Sequence, residues 1–126
     1  MYQIDNQSRQ AVYEQIVEQV EKYVLIGLLK GGDKMPSVRN LSLELKVNPN
    51  TVQRAYTELE RGGVIVTAPG RGAFVSDQGA LHLRERRRTM ALTDLKLIVS
   101  ELKMSGLEKA ELLQIVEAAY QEEKHD

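Results

Sequence analysis

The chain has 126 residues, no cysteine, 28% charged residues and a formal net charge of −1. That length suits one ordinary domain, or one small domain with an appendage. The missing cysteines exclude disulfides, thiolate metal sites and a cysteine nucleophile, and the near-zero charge excludes any case for a polyanion partner built on overall basicity.

The opening stretch, MYQIDNQSRQ, has neither a charged leader region nor an apolar run, so no secretory signal is expected. Ser8 is placed to cap a first helix whose apolar positions are Val12, Ile16, Val20, Tyr23 and Val24, with Gly27 as its stop. Glu14, Glu18, Glu21 and Lys22 form its other face and read as solvated surface. Lys30-Gly31-Gly32-Asp33 is turn chemistry. Ser37 then caps a second, shorter helix with Val38, Leu41 and Leu45 apolar, and Lys46-Val47 make a tight connection to a third.

Asn48-Pro49 is a strong helix start, because an asparagine oxygen can accept from the first free amides and proline is pre-set for the first helical position. Val52, Ala55, Tyr56 and Leu59 recur at i, i+3, i+4 and i+7 and make one apolar face. Asn50, Arg54, Thr57 and Arg61 fall opposite, with Gln53 on the flank, and none of those five is acidic. A helix anchored by one face and offering Asn, Gln, Thr and Arg on the other suits the DNA major groove, while a plain solvated helix is the competing reading. Asn50 and Gln53 suit adenine N6/N7, and Arg54 suits guanine O6/N7 or a phosphate. Asn48 reads as a cap before it reads as a base contact, Thr51 as a phosphate contact or a first-turn closer, and Tyr56 as core. Arg39, near the start of the second helix, is disfavoured by the helix dipole unless a phosphate or an acid such as Glu44 lies close. Between Lys30 and Arg71 seven basic residues face four acids, a mild local excess.

After Gly62-Gly63 the period changes. Val64–Thr67 and Ala73–Val75 read as two strands around the turn Pro69-Gly70-Arg71-Gly72. A β-hairpin directly after a helix-turn-helix is the wing of a winged helix. Its tip sets Arg71 between two glycines, where backbone can approach a phosphate or a narrow minor groove, the alternative being that the glycines serve the turn alone.

Asp77–Gly79 read as a linker, dividing the chain into a winged helix-turn-helix over 1–77 and a helical tail over 78–126. Leu92, Leu95, Val99 and Leu102 form a seam up to a break at Ser105-Gly106, and Leu113 and Val116 mark the stripe of a second tail helix. Two short amphipathic helices bury such stripes poorly by themselves, so the tail is expected to pair with a second copy, the alternative being that it folds back on its own winged helix. The run Arg84-Glu85-Arg86-Arg87-Arg88 reads as a solvated face, a phosphate contact, or a partner for the acids Glu122, Glu123 and Asp126. His82 and His125 are too far apart to argue a metal site, no stretch approaches the eighteen or so apolar residues of a membrane span, and no catalytic constellation is visible. No cofactor is called for, and a cytoplasmic, mainly α (α+β) protein is expected.

The string Lys34-Met35-Pro36-Ser37-Val38-Arg39-Asn40-Leu41, then Val47-Asn48-Pro49-Asn50-Thr51-Val52, Ala55-Tyr56, Leu59-Glu60, Gly62-Gly63 and Gly70-Arg71-Gly72-Ala73-Phe74-Val75, resembles the GntR family of bacterial transcription regulators. The short two-helix tail is similar to that of the YtrA-type subfamily, which lacks a large effector domain. The resemblance implies a homodimer that represses from an inverted-repeat operator on double-stranded DNA, with operators near its own operon and often alongside ABC-transporter genes. Carried over by position, it implies DNA contacts at Arg39, Asn48, Asn50, Thr51 and Gln53, and wing contacts at Gly70 and Arg71. The chain departs from the broader pattern at Pro49 and Gln53, where many relatives carry arginine; Arg54 stands one place along. No residue pattern names an effector, and a tail this small leaves the subunit interface or the hinge near Asp77 as the expected place for one. A winged helix that binds proteins and has no operator is the alternative function.

Overall fold

The computed structural model describes residues 1–122, so Glu123, His125 and Asp126 lie outside the described residues. Among the described residues five helices and one hairpin follow in the order α1 (Val12–Leu25), α2 (Val38–Leu45), α3 (Pro49–Arg61), β1 (Ile65–Ala68), β2 (Gly72–Val75), α4 (Gly79–Met104) and α5 (Lys109–Gln121). They form two units, residues 1–87 and residues 88 onward.

The first unit is a winged helix built on the stripes read from the sequence. Ile16, Val20 and Val24 of α1, Leu41 of α2, and Val52, Ala55, Tyr56 and Leu59 of α3 are buried together with Val64, Ile65 and Val75. Antiparallel β1 and β2 pair from Ile65 with Val75 to Ala68 with Gly72, so β1 lies one residue later than expected and β2 begins one residue earlier. No sequence pattern marks a third partner. The Gly32 amide donates to Val75 O at 2.8 Å, the Met35 amide to Ala73 O at 2.8 Å, and Lys34 bridges Phe74, so the turn before α2 doubles as the far edge of the wing sheet.

The N-terminus departs from expectation. Ser8 does not cap α1: its Oγ accepts from the Gln10 amide at 3.0 Å, while Ala11 occupies the cap position without a side-chain bond. Serine's hydroxyl is consumed by a local turn, which competes with helix capping. The preceding arm is held by two glutamines of α1. Gln15 accepts from the Asp5 amide at 2.8 Å and returns a bond to Asp5 O at 3.1 Å, and Gln19 does the same for Gln3. This lays Tyr2 into the core edge-on to Tyr23, at 5.6 Å between ring centroids. The Tyr2 hydroxyl is buried without a hydrogen-bond partner among the described residues, and that burial, with Tyr23 and Glu44 nearby, pushes its pKa up to about 12.

The first unit also continues past the expected linker. Gly79 is buried and so close to Val64 that an added Cβ would lie 3.1 Å from Val64 O, and Leu83 is only 1% exposed. The first turns of α4 therefore belong to the winged helix, and the unit closes at Arg87.

In the second unit α4 runs on to Met104, turns at Ser105-Gly106 with Gly106 at φ +88°, and gives way to α5. Leu102, Leu107 and Leu112 are half-buried near the corner, while Leu92, Leu95, Val99, Leu113 and Val116 are exposed. No helix among the described residues is long and apolar enough to cross a membrane.

Candidate nucleic-acid interface

Two side-chain caps set the helix-turn-helix. Ser37 accepts from the Asn40 amide at 3.0 Å, and Asn48 accepts from the Asn50 amide at 2.8 Å with Pro49 in the first turn. Each satisfies one of the amides a helix start leaves open, and in α3 the rest of the first turn is accounted for as well, since Pro49 carries no amide hydrogen and the Thr51 amide donates to Asn48 O at 2.9 Å. Between the helices Lys46 takes a left-handed conformation, φ +57°, and the Val47 amide donates to Ser42 O at 3.1 Å. That conformation is unusual outside glycine, and here it turns the chain within two residues.

The apolar side of α3 is fully committed. Val52 and Ala55 are completely buried, and the Tyr56 hydroxyl donates to Pro36 O at 2.7 Å, tying α3 to the lead-in of α2. Burial, with Tyr2 and Glu44 nearby, holds the Tyr56 hydroxyl far above the ordinary tyrosine pKa, so it stays a donor throughout the physiological range. Fixing that side leaves Asn50, Gln53, Arg54, Thr57 and Arg61 exposed, and Thr51 half-buried.

These side chains are not equivalent. Asn48 spends its side-chain oxygen on the cap, so its amide nitrogen is what remains for an outside partner. Gln53 donates to Thr57 Oγ1 at 3.3 Å, a weak exposed bond that costs little to exchange. Arg54 turns back toward α1: its guanidinium carbon lies 3.8 Å from the Tyr13 ring centroid, and Nη2 donates to Tyr13 Oη at 3.2 Å. Tyr13 is thus a platform for Arg54 that the sequence did not reveal, since the two residues lie 41 positions apart. Arg61 pairs with Glu58 at 2.8 Å. Arg39 is exposed on the first turn of α2 and forms no ion pair among the described residues, Glu44 included.

The wing tip has the form of a type II turn. The Arg71 amide donates to Ala68 O at 2.9 Å, with Pro69 then Gly70 between them and Gly70 at φ +74°. The turn alone therefore accounts for Gly70. Arg71 itself is exposed. The wing is tied to α3 by Glu60, whose carboxylate accepts from the Thr67 amide on the outer edge of β1 at 3.1 Å. A groove of about 220 Å³ lies where the three elements meet, lined among others by Ser37, Gln53, Thr57, Thr67 and Gly72.

Charge follows the same layout. Glu58 and Glu60, the acids on the exposed part of α3, are engaged by Arg61 and by the Thr67 amide. Arg39, Arg71 and Lys34 are exposed cations next to the groove residues Val38 and Gly72, and nothing in the sequence pattern marks Lys34 as a DNA contact. Its place on the sheet, with its side chain beside Gly72, came from the unexpected third pairing. No group of three or more His, Asp or Glu side chains able to hold a metal occurs among the described residues.

Comparison with known proteins gives the same picture. The model of the bacterial regulatory proteins of the gntR family matches residues 12–75. The HTH-type transcriptional repressor YtrA of Bacillus subtilis is 43% identical over 112 residues, which cover 89% of this chain and 86% of that protein. A transcriptional regulator from Oenococcus oeni has a crystal structure that superposes with a TM-score of 0.77 at 34% identity, covering 93% of this chain and 97% of that one. YtrA from Sulfolobus acidocaldarius, a GntR-family transcription factor, superposes at 0.62 with 35% identity over 75% of this chain and 97% of its own.

Proposed function

The chain belongs to the gntR family of bacterial regulatory proteins, DNA-binding transcription regulators and not enzymes, and on that premise we propose that it is a homodimeric repressor of an inverted-repeat operator. The observation that carries the reading is the division of α3: one side locked by Val52, Ala55, Tyr56 and Leu59, the other offering Asn50, Gln53 and Thr57 beside the wing. In this reading the start of α3 enters the major groove, with Asn50 and Gln53 reading base edges. Arg39, Thr51 and the remaining donor of Asn48 contact phosphates, and Gly70-Arg71 reach the adjacent backbone or minor groove. Arg54 leaves or keeps its seat on Tyr13 according to the base presented to it.

Dimerisation is assigned to the tail. Leu92, Leu95, Val99, Leu113 and Val116 stand exposed on α4 and α5, a run of apolar side chains that a partner surface would cover, and Leu102 extends the seam. A two-fold pairing there would present two recognition helices to successive half-sites. A cytoplasmic location, and target genes that include an ABC transporter, follow from the resemblance to short-tailed members of the family.

The test is enrichment of a randomised duplex pool on the purified protein. An enriched inverted repeat, bound far more tightly than scrambled duplex, is the expected result. No enrichment would favour the protein-interaction module and end the operator reading.

A further inference from the structure

The recognition helix carries an acid that base reading does not explain. Among the described residues lining the groove of about 220 Å³, Glu60 is the one carboxylate, and it forms no ion pair among the described residues. Gln53, Thr57 and Glu60 stand at i, i+4 and i+7, a single stripe on the wing side of α3. An exposed carboxylate there repels the phosphates of any duplex seated on α3, so its contribution has to lie elsewhere.

The wing shows where. A lone two-stranded hairpin is marginal in water, and the two outer edges of this one are held differently. The β2 edge is laced to the lead-in of α2 by backbone alone. Val75 donates to Asp33 O and accepts from the Gly32 amide, both at 2.8 Å, and Ala73 O accepts from the Met35 amide at 2.8 Å. Beyond Val64, what holds the β1 edge is the bond from the Thr67 amide to Glu60 Oε2 at 3.1 Å. An ionised acceptor makes that bond stronger than a neutral amide–carbonyl one. Thr67 is next to Ala68, whose carbonyl closes the tip turn with the Arg71 amide. Without the Glu60 bond the hairpin is fastened along β2 alone, and its tip can swing away from α3.

We infer that Glu60 is a positioning residue for DNA binding. It fastens the wing to the stripe of α3 that carries Gln53, so that Arg71 meets the DNA backbone at a fixed distance from the base-reading side chains. The inference rests on the proposed operator reading and adds the residue that sets the wing within it.

Both ends of the bond can be removed. Glu60→Ala takes the acceptor. Thr67→Pro takes the donor, whose N–H points away from β2, where an edge strand accepts proline. Glu60→Gln keeps an acceptor and discards the charge. Loss of an acid also changes affinity by itself, so the quantity to read is the cost of Arg71→Ala within each background. The probe is the duplex that the wild-type protein enriches from the random pool. That cost should be about tenfold in wild type and below about threefold in Glu60→Ala and Thr67→Pro, because a loose wing no longer delivers Arg71. In Glu60→Gln it should stay above about fivefold. Gln53→Ala, about two turns away along α3, should cost the same factor in every background. In the free protein the Thr67 amide should be protected from hydrogen exchange in wild type and Glu60→Gln, and unprotected in Glu60→Ala.

An Arg71→Ala cost unchanged by Glu60→Ala and Thr67→Pro would overturn the inference, as would a Glu60→Gln protein that behaves like Glu60→Ala. A Gln53→Ala cost that falls together with that of Arg71→Ala would overturn it too, since Glu60 would then only support the fold. If the wild-type protein enriches no duplex, the operator reading fails and takes the inference with it, whereas an enriched duplex with additive costs ends the inference alone.

Discussion

Tyr56 and Tyr2 are both buried, yet removing their hydroxyls should move stability in opposite directions. Tyr56 donates to Pro36 O at 2.7 Å, whereas the Tyr2 hydroxyl has no partner among the described residues. In Tyr56→Phe the carbonyl loses its donor in a part-buried setting, so the net loss of a hydrogen bond is supplemented by the cost of an unsatisfied acceptor, about 1–2 kcal/mol in all. For a domain of this size that corresponds to a melting temperature lower by roughly 4–10 °C. Tyr2→Phe removes a hydroxyl that was stripped of water and received nothing, and should be neutral or stabilising by up to about 1 kcal/mol. Both groups have folded-state pKa values raised above the ordinary 10, so the stability they contribute is fully present below pH 10 and is lost as pH rises, through about 12 for Tyr2 and later for Tyr56. Urea unfolding followed by far-UV circular dichroism measures all of this in a chain that has no tryptophan. Equal destabilisation by both substitutions, or an unchanged midpoint in Tyr56→Phe, would refute the reasoning. So would a double phenylalanine variant that loses stability above pH 10 as steeply as wild type.

Other consequences are as direct. Arg39→Ala and Arg71→Ala should each weaken binding to the enriched duplex and flatten the plot of log affinity against log salt by about two units per dimer, since each phosphate contact contributes a slope near −0.9. Asn48→Ala should cost about 1 kcal/mol of stability through the lost cap, whereas Asn48→Asp should keep the cap and weaken DNA binding by placing an anion at the backbone. Leu95→Lys combined with Val99→Lys should yield a monomer by sedimentation with unchanged helix content, because both side chains are exposed within the single chain. A dimer that persists in that variant would remove the tail from the interface.

Local chemistry was legible in the sequence and long-range pairing was not. Ser37 and Asn48 were recognisable as caps because the helix starts beside them, and Val52, Ala55, Tyr56 and Leu59 because a helix repeats. The wing was visible as two β-branched or aromatic stretches around a glycine turn, while its third edge escaped because Gly32–Met35 has no period of its own and pairs through backbone alone. Arg54 on Tyr13 and Arg86 on Glu21 join residues 41 and 65 positions apart, and nothing local marks either pair. The same holds for the arm at 1–5, seated by the amides of Gln15 and Gln19 on what looked like an ordinary helix. Ser8 misled for the opposite reason: its local signal was real, but a turn satisfied it first.

The exposed side of α3 as the reader of sequence is tested most directly by backbone amide shifts of isotope-labelled protein on addition of the enriched duplex. Perturbations concentrated at 37–40, 48–54 and 69–72 are the expected result. Shifts confined to the outer face of α1 or to residues 90–121, with α3 unmoved, would contradict it.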